Sequence, residues 1–231
     1  VPMSGAPRVL ELREAPGVQI VYQRKDPWRN IACFTSRGDG RYSAFRFSLM
    51  DGVMRNMRAY GQREWALTEN MIYWFAFCGF TPEQVLNKMS GFRITQNGPE
   101  MAEFRYVSRN AMGGAESEYV VRVPDSPSAM RIDVKARFTV LKSWPYAGVQ
   151  FFDVMPFRGV WPQDWWYDEV LWVAPDGRVK WLGTRSRAFG GDKDLDTLAG
   201  PMFLALHSSD RGNMVILVHK FAPALPVQYA I

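Results

Sequence analysis

The sequence predicts an all-β fold, a large antiparallel β-sandwich with one or two short helices, on three observations. Apolar and polar residues alternate with a period near two in many short runs along the chain, the mark of strands that bury one face. Clusters of Gly, Pro, Asn and Asp separate those runs, as tight turns between antiparallel strands require. Helical spacing is confined to two short stretches. The 231 residues are compatible with one large all-β domain or two small ones; no segment forces a split, and one β-sandwich domain covering residues 1–231 is expected, because sandwiches often reach this size as single units. With 47% hydrophobic and 22% charged residues, the chain has the apolar material for a substantial core and lacks the composition of a disordered segment.

From the amino terminus, residues 9–13 and 18–22 alternate as two strands, and the turn Arg37-Gly38-Asp39-Gly40 leads into a strand over 42–47. A short helix is predicted within 50–63, weakened by Gly52 and Gly61. Another begins at Thr81, a capping residue followed by Pro82 at the first helical position and by Gln84 three residues after the cap. Val85, Leu86 and Met89 give it an apolar stripe, and Gly91 can end it. Strands over 104–107, 119–123 and 132–140 follow, with turn signals at 96–99, 112–114 and 124–127. The strongest hairpin joins 168–173 to 178–182 through Ala174-Pro175-Asp176-Gly177, where Pro presets the turn and Gly accepts positive φ at its exit. The last hairpin pairs 202–207 with 214–219, and its nearly continuous apolarity predicts central strands covered on both faces.

Formal net charge is +5 at pH 7, but the cations are dispersed. Arg131, Asp133, Lys135 and Arg137 alternate with Ile132, Val134, Ala136 and Phe138. That is a solvated strand face of mixed sign, so nucleic acid is not expected as a partner. Arginine outnumbers lysine by 21 to 7, and its planar fork grips carboxylates and phosphates. An anionic small ligand, such as a uronate or another carboxylic acid, fits that preference. Cys33 and Cys78 allow at most one bridge and sit among apolar neighbours, which reads as two buried free thiols. No apolar run reaches the ~20 residues of a membrane-spanning helix, and no membrane partner is expected. The start at Val1 suggests trimming or excision, and the amino terminus lacks a charged-then-apolar signal. A soluble cytoplasmic protein and a mature secreted one both fit.

Long antiparallel strands, the tract from Phe138-Thr139-Val140-Leu141 through residues 149–156, and the scarcity of helix resemble the supersandwich of galactose-mutarotase-like domains over roughly two thirds of the chain. The resemblance implies a supersandwich fold and the company of sugar epimerases and polysaccharide lyases. It rests on strand style and carries no catalytic residue over. Mutarotase-type chemistry calls for a His and a Glu on separate strands facing one cleft, whereas both histidines, His207 and His219, fall on the last hairpin.

Residues 161–172 place five large aromatics and three carboxylates within a dozen positions, the mixture of a polar-rimmed apolar pocket. Trp161, Asp164, Trp165 and Trp166 are the expected ligand-binding residues, with Arg158, Arg185 and Arg187 supplying positive charge. Tyr167, Asp168 and His207 are the expected catalytic set, with Tyr167 or His207 moving the proton and Asp168 orienting the substrate or acting as base. Glu169 would face away from Asp168 on a strand, so a partner carboxylate would come from Glu69, Glu118 or Asp153. Core packing or a homo-oligomer interface would use the same aromatics. A hairpin centred between Asp210 and Arg211 would set His207 opposite Met214 and His219 opposite Met202, on opposite faces, so no shared metal is expected. The run Asp192, Asp194, Asp196 alternates carboxylates, but Thr197 and Phe203 stand where a helix-pair calcium loop has glycine and glutamate. Calcium is thus a minor alternative to an absence of cofactors, and no phosphate-cradling or dinucleotide motif is present. Two functions remain open. One is a cofactor-independent lyase, isomerase or hydrolase acting on a sugar-like substrate in an aromatic-rich cleft. The other is a non-catalytic module docking a polymer or subunit. A concave pocket with titratable groups marks the first, and a flat aromatic surface the second.

Overall fold

The computed structural model describes residues 16–23, 30–48, 53–58, 72–73, 87–110, 115–126, 129–141, 153–154, 169–174, 176–183, 196–198, 202–208, 212–218 and 227–229. The described residues are all-β, every strand pairing is antiparallel, and they fall into two compact units, Val1–Met155 and Pro156–Ile231.

The first unit holds β1 (Gly17–Gln23), β2 (Asn30–Ser36), β3 (Tyr42–Ser48), β4 (Val53–Arg58), β5 (Ile72–Tyr73), β6 (Asn87–Asn97), β7 (Met101–Asn110), β8 (Ala115–Pro124), β9 (Asp133–Val140) and β10 (Asp153–Val154). One sheet runs β1-β2-β3-β4-β5-β10, and a second runs β6-β7-β8-β9. Alternation sorts their side chains by face. Ile20, Cys33 and Phe45 lie in one cross-strand row, and Ile31 and Phe47 share that face. The Phe47 ring packs 5.1 Å from Phe104 and 4.9 Å from Tyr106 of β7, centroid to centroid. On the second sheet, Ala102, Phe104, Tyr106, Tyr119, Val121 and Val123 are buried, while the intervening Arg105, Arg109, Glu118 and Arg122 are exposed. Tyr106 and Tyr119, directly opposite each other, stack at 4.5 Å. Each such large buried side chain contributes ~1.5–3 kcal/mol of transfer free energy. β2 and β3 are buried on their other face as well, where Val21, Ala32, Phe34, Tyr42 and Ala44 cluster. Cys33 is the buried free thiol expected, pushed well above its ordinary pKa by desolvation. Cys78 lies outside the described residues.

β1 is the first strand of its sheet, and its outer edge is occupied by the turn that links β6 to β7. The Asn97 side chain acts as a substitute strand. Its Oδ1 accepts from the Ile20 N–H at 2.7 Å, and its Nδ2 donates to the Ile20 carbonyl at 3.1 Å. The Pro99 carbonyl accepts from the Val18 N–H at 2.7 Å. Backbone groups that would otherwise template pairing with another chain are thereby satisfied. The approach requires glycine twice. A Cβ on Gly98 (φ 75°) would lie 2.6 Å from the Val18 carbonyl oxygen, and one on Gly17 (φ 121°) would lie 2.5 Å from that of Pro99.

Both predicted helices need correction. Residues 53–58 form β4, and residues 87–91, the second half of the helix expected from Thr81, open the long strand β6. Residues 81–86 lie outside the described residues. Met89 and Gly91 pair with Ser108 and Val107, across an irregularity in the ladder between them. Ladder pairing along most of a ten-residue partner outweighs the weak local preference of a short amphipathic stretch. Among the described residues no helix is present.

The second unit contains β11 (Glu169–Val173), β12 (Val179–Gly183), β13 (Asp196–Leu198), β14 (Met202–Ser208), β15 (Gly212–Val218) and β16 (Val227–Tyr229). One sheet runs β12-β11-β14-β15, and β13 pairs with β16. The hairpin foreseen at 168–182 forms. The Ala174 N–H donates to the Arg178 carbonyl, and the Gly177 N–H to that of Ala174, both at 2.9 Å, with Gly177 at φ 80°. The last hairpin forms too, one residue out of the expected register. His207 faces Asn213, not Met214, and Met202 faces Val218. The centre is thus Asp210 itself. Slipping by one residue reverses the facing of an arm relative to its partner, so the expectation that the two histidines lie on opposite faces loses its basis. His219 lies outside the described residues.

Candidate functional site

Of the expected site residues, Arg158, Trp161, Asp164, Trp165, Trp166, Tyr167, Asp168, Arg185 and Arg187 lie outside the described residues, as do Glu69, Asp192 and Asp194. Asp153 belongs to β10, Asp196 opens β13, and Glu118 is exposed on β8. His207 is the one member of the expected catalytic set whose surroundings are described.

His207 sits half-buried on β14, and the sheet register puts Glu169 of β11 opposite it on one side and Asn213 of β15 opposite it on the other. Directly opposed residues have Cα atoms ~4.5–5.5 Å apart and side chains on one face. The two rows that follow on this face are apolar. Trp181, Leu171, Ala205 and Val215 make the first, and Val179 with Val173 and Phe203 with Leu217 continue the second. Four of these side chains meet solvent: Trp181 is 67% exposed, Val179 66%, Val215 54% and Phe203 37%. The reverse face differs, since Trp172 is buried there. The expectation that the last hairpin is covered on both faces is therefore corrected: one face of β14 and β15 is open. β15 ends the sheet among the described residues, and Val215 is 54% exposed there. Exposed apolar surface of this kind loses less by being covered than by staying in water.

A second surface belongs to the first unit. Glu103 is buried on β7, on the face turned away from Phe104, and two guanidiniums converge on it. Arg105 Nε donates to Oε1 at 3.0 Å, and Arg122 Nε, from the opposed position on β8, donates to Oε2 at 2.5 Å. The Thr95 hydroxyl donates to Oε1 at 2.7 Å. The Thr95 hydroxyl first, then Arg122 and Arg105, hold the carboxyl well below its ordinary range, at about 2, against the opposing effect of burial. Around this anchor the same face carries Arg93, Arg109, Lys135 and Arg137, all exposed. Arg109 is tied to Glu116 at 2.6 Å.

A cavity of about 230 Å³ lies beside the turn on the β1 edge, lined by Val18, Phe34, Ser36, Asn97 and Pro99 among others, and among the described residues no ionisable side chain is in its wall. Among the described residues, the arrangement that brings titratable and exposed aromatic groups together is instead the open face around His207 and Trp181. Glu169 and Trp181 were not foreseen as site residues. For Glu169 the missing information was the pairing of β11 with β14, which no local pattern encodes. Trp181 carried a signal, because it shares parity with Val179 in a five-residue strand.

Comparison with family models, with curated proteins and with solved structures gives no match. Fold and surface alone define the class: an all-β protein of antiparallel sheets with an open aromatic-aliphatic sheet face.

Proposed function

We propose that the chain is a carbohydrate-directed binding protein that docks a saccharide on the open face of β12-β11-β14-β15. Trp181 carries this reading: an indole 67% exposed, one same-face row from the polar row Glu169, His207, Asn213, a step of about 7 Å at strand rise. Sugar rings present apolar C–H faces that stack on indole, while their hydroxyls seek acceptors and donors such as a carboxylate, an imidazole and an amide. The face is open at Trp181, Val179, Val215 and Phe203, which suits docking of a polymer without enclosure. Titration of intrinsic fluorescence with neutral polysaccharides and oligosaccharides tests it. Saturable quenching, weakened roughly tenfold or more in Trp181→Ala, is the expected result; wild-type silence across the neutral panel, or equal binding by the variant, rejects the reading.

A second reading is favoured by one observation, the opposed placement of Glu169 and His207 on separate strands. The pair would serve acid/base chemistry of lyase, isomerase or hydrolase type on the same saccharide, without a cofactor. Turnover of a saccharide that both His207→Asn and Glu169→Gln reduce by about a hundredfold or more would select the enzyme, and binding without turnover the module. For the architecture, the two sheets of the first unit are read as layers of a β-sandwich of supersandwich type, which the Phe47 contacts with Phe104 and Tyr106 support.

A further inference from the structure

From the charged face of β6-β7-β8-β9 we infer a second binding surface, for an acidic polysaccharide whose carboxylates engage Arg93, Lys135 and Arg137. It belongs to the first unit and stands independently of the aromatic face. Register places Arg93 directly opposite Arg105 on the neighbouring strand, and the row continues through Val120 to Lys135. Like charges directly opposed across a ladder destabilise a sheet, so such a row is retained at a cost. Arg122 and Arg137 lie in the same-face rows on either side.

The carboxylates on this face do not neutralise it. Glu103 is shared by Arg105 and Arg122, Glu116 holds Arg109, and Asp133 holds Arg131 at 2.8 Å. Arg93, Lys135 and Arg137 have no ion-pair partner among the described residues. Sharing Glu103 also fixes two guanidiniums in place beside the free ones while leaving them about half exposed, with side-chain exposures of 43% for Arg105 and 53% for Arg122. Preorganised guanidinium groups bind carboxylates in bidentate fashion at low entropic cost.

Two features select a polysaccharide over a nucleic acid. Among the described residues the face carries no aromatic ring on which a base could stack: its rows hold mainly Arg, Lys, Glu, Asp, Thr and Val. Glu118, exposed and without a cation partner among the described residues, stands between Val107 and Arg137. A carboxylate there repels either polyanion, so what favours the sugar is that it accepts hydrogen bonds from pyranose hydroxyls, while Val120 supplies an apolar floor between the cations.

The full chain is titrated with polygalacturonate, with dextran as the neutral polymer and with single-stranded DNA as the other polyanion, at low and moderate salt. The expected result is binding to polygalacturonate that weakens with salt, that falls roughly tenfold or more in the triple variant Arg93→Ala, Lys135→Ala, Arg137→Ala, and that persists in Trp181→Ala. The three side chains are exposed, so the variant keeps the wild-type unfolding midpoint, checked by urea denaturation. No binding by the wild type, equal binding by the triple variant, or loss in Trp181→Ala overturns the inference, the last by moving the acidic polymer to the aromatic face. Tighter binding of DNA with the same arginine dependence overturns it in favour of nucleic acid.

Discussion

Two four-stranded antiparallel sheets, β6-β7-β8-β9 in the first unit and β12-β11-β14-β15 in the second, each have one open face, and the open faces differ in kind. The first places Arg, Lys and Glu on its wet side and aromatics on its dry side, so solvent and core each receive what they favour. The second buries Trp172 on one side and leaves Trp181, Val179, Val215 and Phe203 in water on the other. Identical backbone logic thus yields a face at ease with solvent and one that gains by being covered. The hydrophobic driving force, ~25 cal/mol per Å² of apolar surface removed from water, is already collected in the first case and still on offer in the second.

If burial, not aromatic character, sets stability, Phe104 and Trp181 should respond in opposite ways. Phe104 is fully buried against Phe47, Phe92 and Tyr106. Phe104→Ala is expected to cost ~3–5 kcal/mol through lost transfer energy and the cavity left behind, read as a lower urea midpoint. Trp181→Ala should stay within ~0.5 kcal/mol of wild type. Equal losses at the two positions would erase the contrast between the sheets.

The charged face has its own weak point. Glu103→Gln removes the carboxylate that Arg105 and Arg122 share and should cost ~1–3 kcal/mol at neutral pH. The sign follows from the depressed pKa. The carboxylate titrates at about 2 in the folded protein and near 4.3 when unfolded. Its contribution is therefore complete above the unfolded value and is lost as pH falls through about 2. Denaturation midpoints of wild type and Glu103→Gln should differ most near neutrality and converge toward that lower limit. A gap independent of pH would mean that the anchor acts through packing and not through charge.

What was legible in the sequence follows the same division. The solvated side of 131–137 could be read directly, because Lys135 and Arg137 are exposed as alternation demands. Its apolar side could not: Val134 and Ala136 are exposed as well, since β9 ends its sheet among the described residues and alternation cannot tell an edge strand from a central one. The turn at 174–177 was legible because its chemistry is local. The register of the last hairpin and the strand identity of 87–91 were not, because both are decided by partners distant in sequence. The aromatic cluster at 161–168 drew attention by composition, yet among the described residues the exposed indole belongs to Trp181, whose five-residue strand has no unusual composition.

A smaller effect is expected at the edge of β1. Asn97→Ala removes both hydrogen bonds to Ile20 and leaves two strand-edge groups of a mostly buried strand short of partners, for about 1–2 kcal/mol. Hydrogen exchange should separate this from a global effect. The Ile20 amide should lose protection while amides in the middle of β2 keep theirs, and uniform loss would mean that the turn supports the whole sheet.

The smallest stability change is the one that tests the open apolar face most closely. Val215→Thr keeps a β-branched shape in β15 and changes only what solvent meets, so the unfolding midpoint should shift by less than ~0.5 kcal/mol. Association should respond more than stability. A face that gains by being covered will bind a hydrophobic dye or a second copy of the chain when no saccharide is present, and a hydroxyl at its rim raises the cost of covering it. Dye binding and sedimentation at rising protein concentration should both fall in Val215→Thr, and a saturating saccharide should lower them in the wild type. If sedimentation falls with the substitution but does not respond to saccharide, the face serves subunit contact. Its contrast with the charged sheet then becomes one between a surface kept in solvent and a surface reserved for assembly.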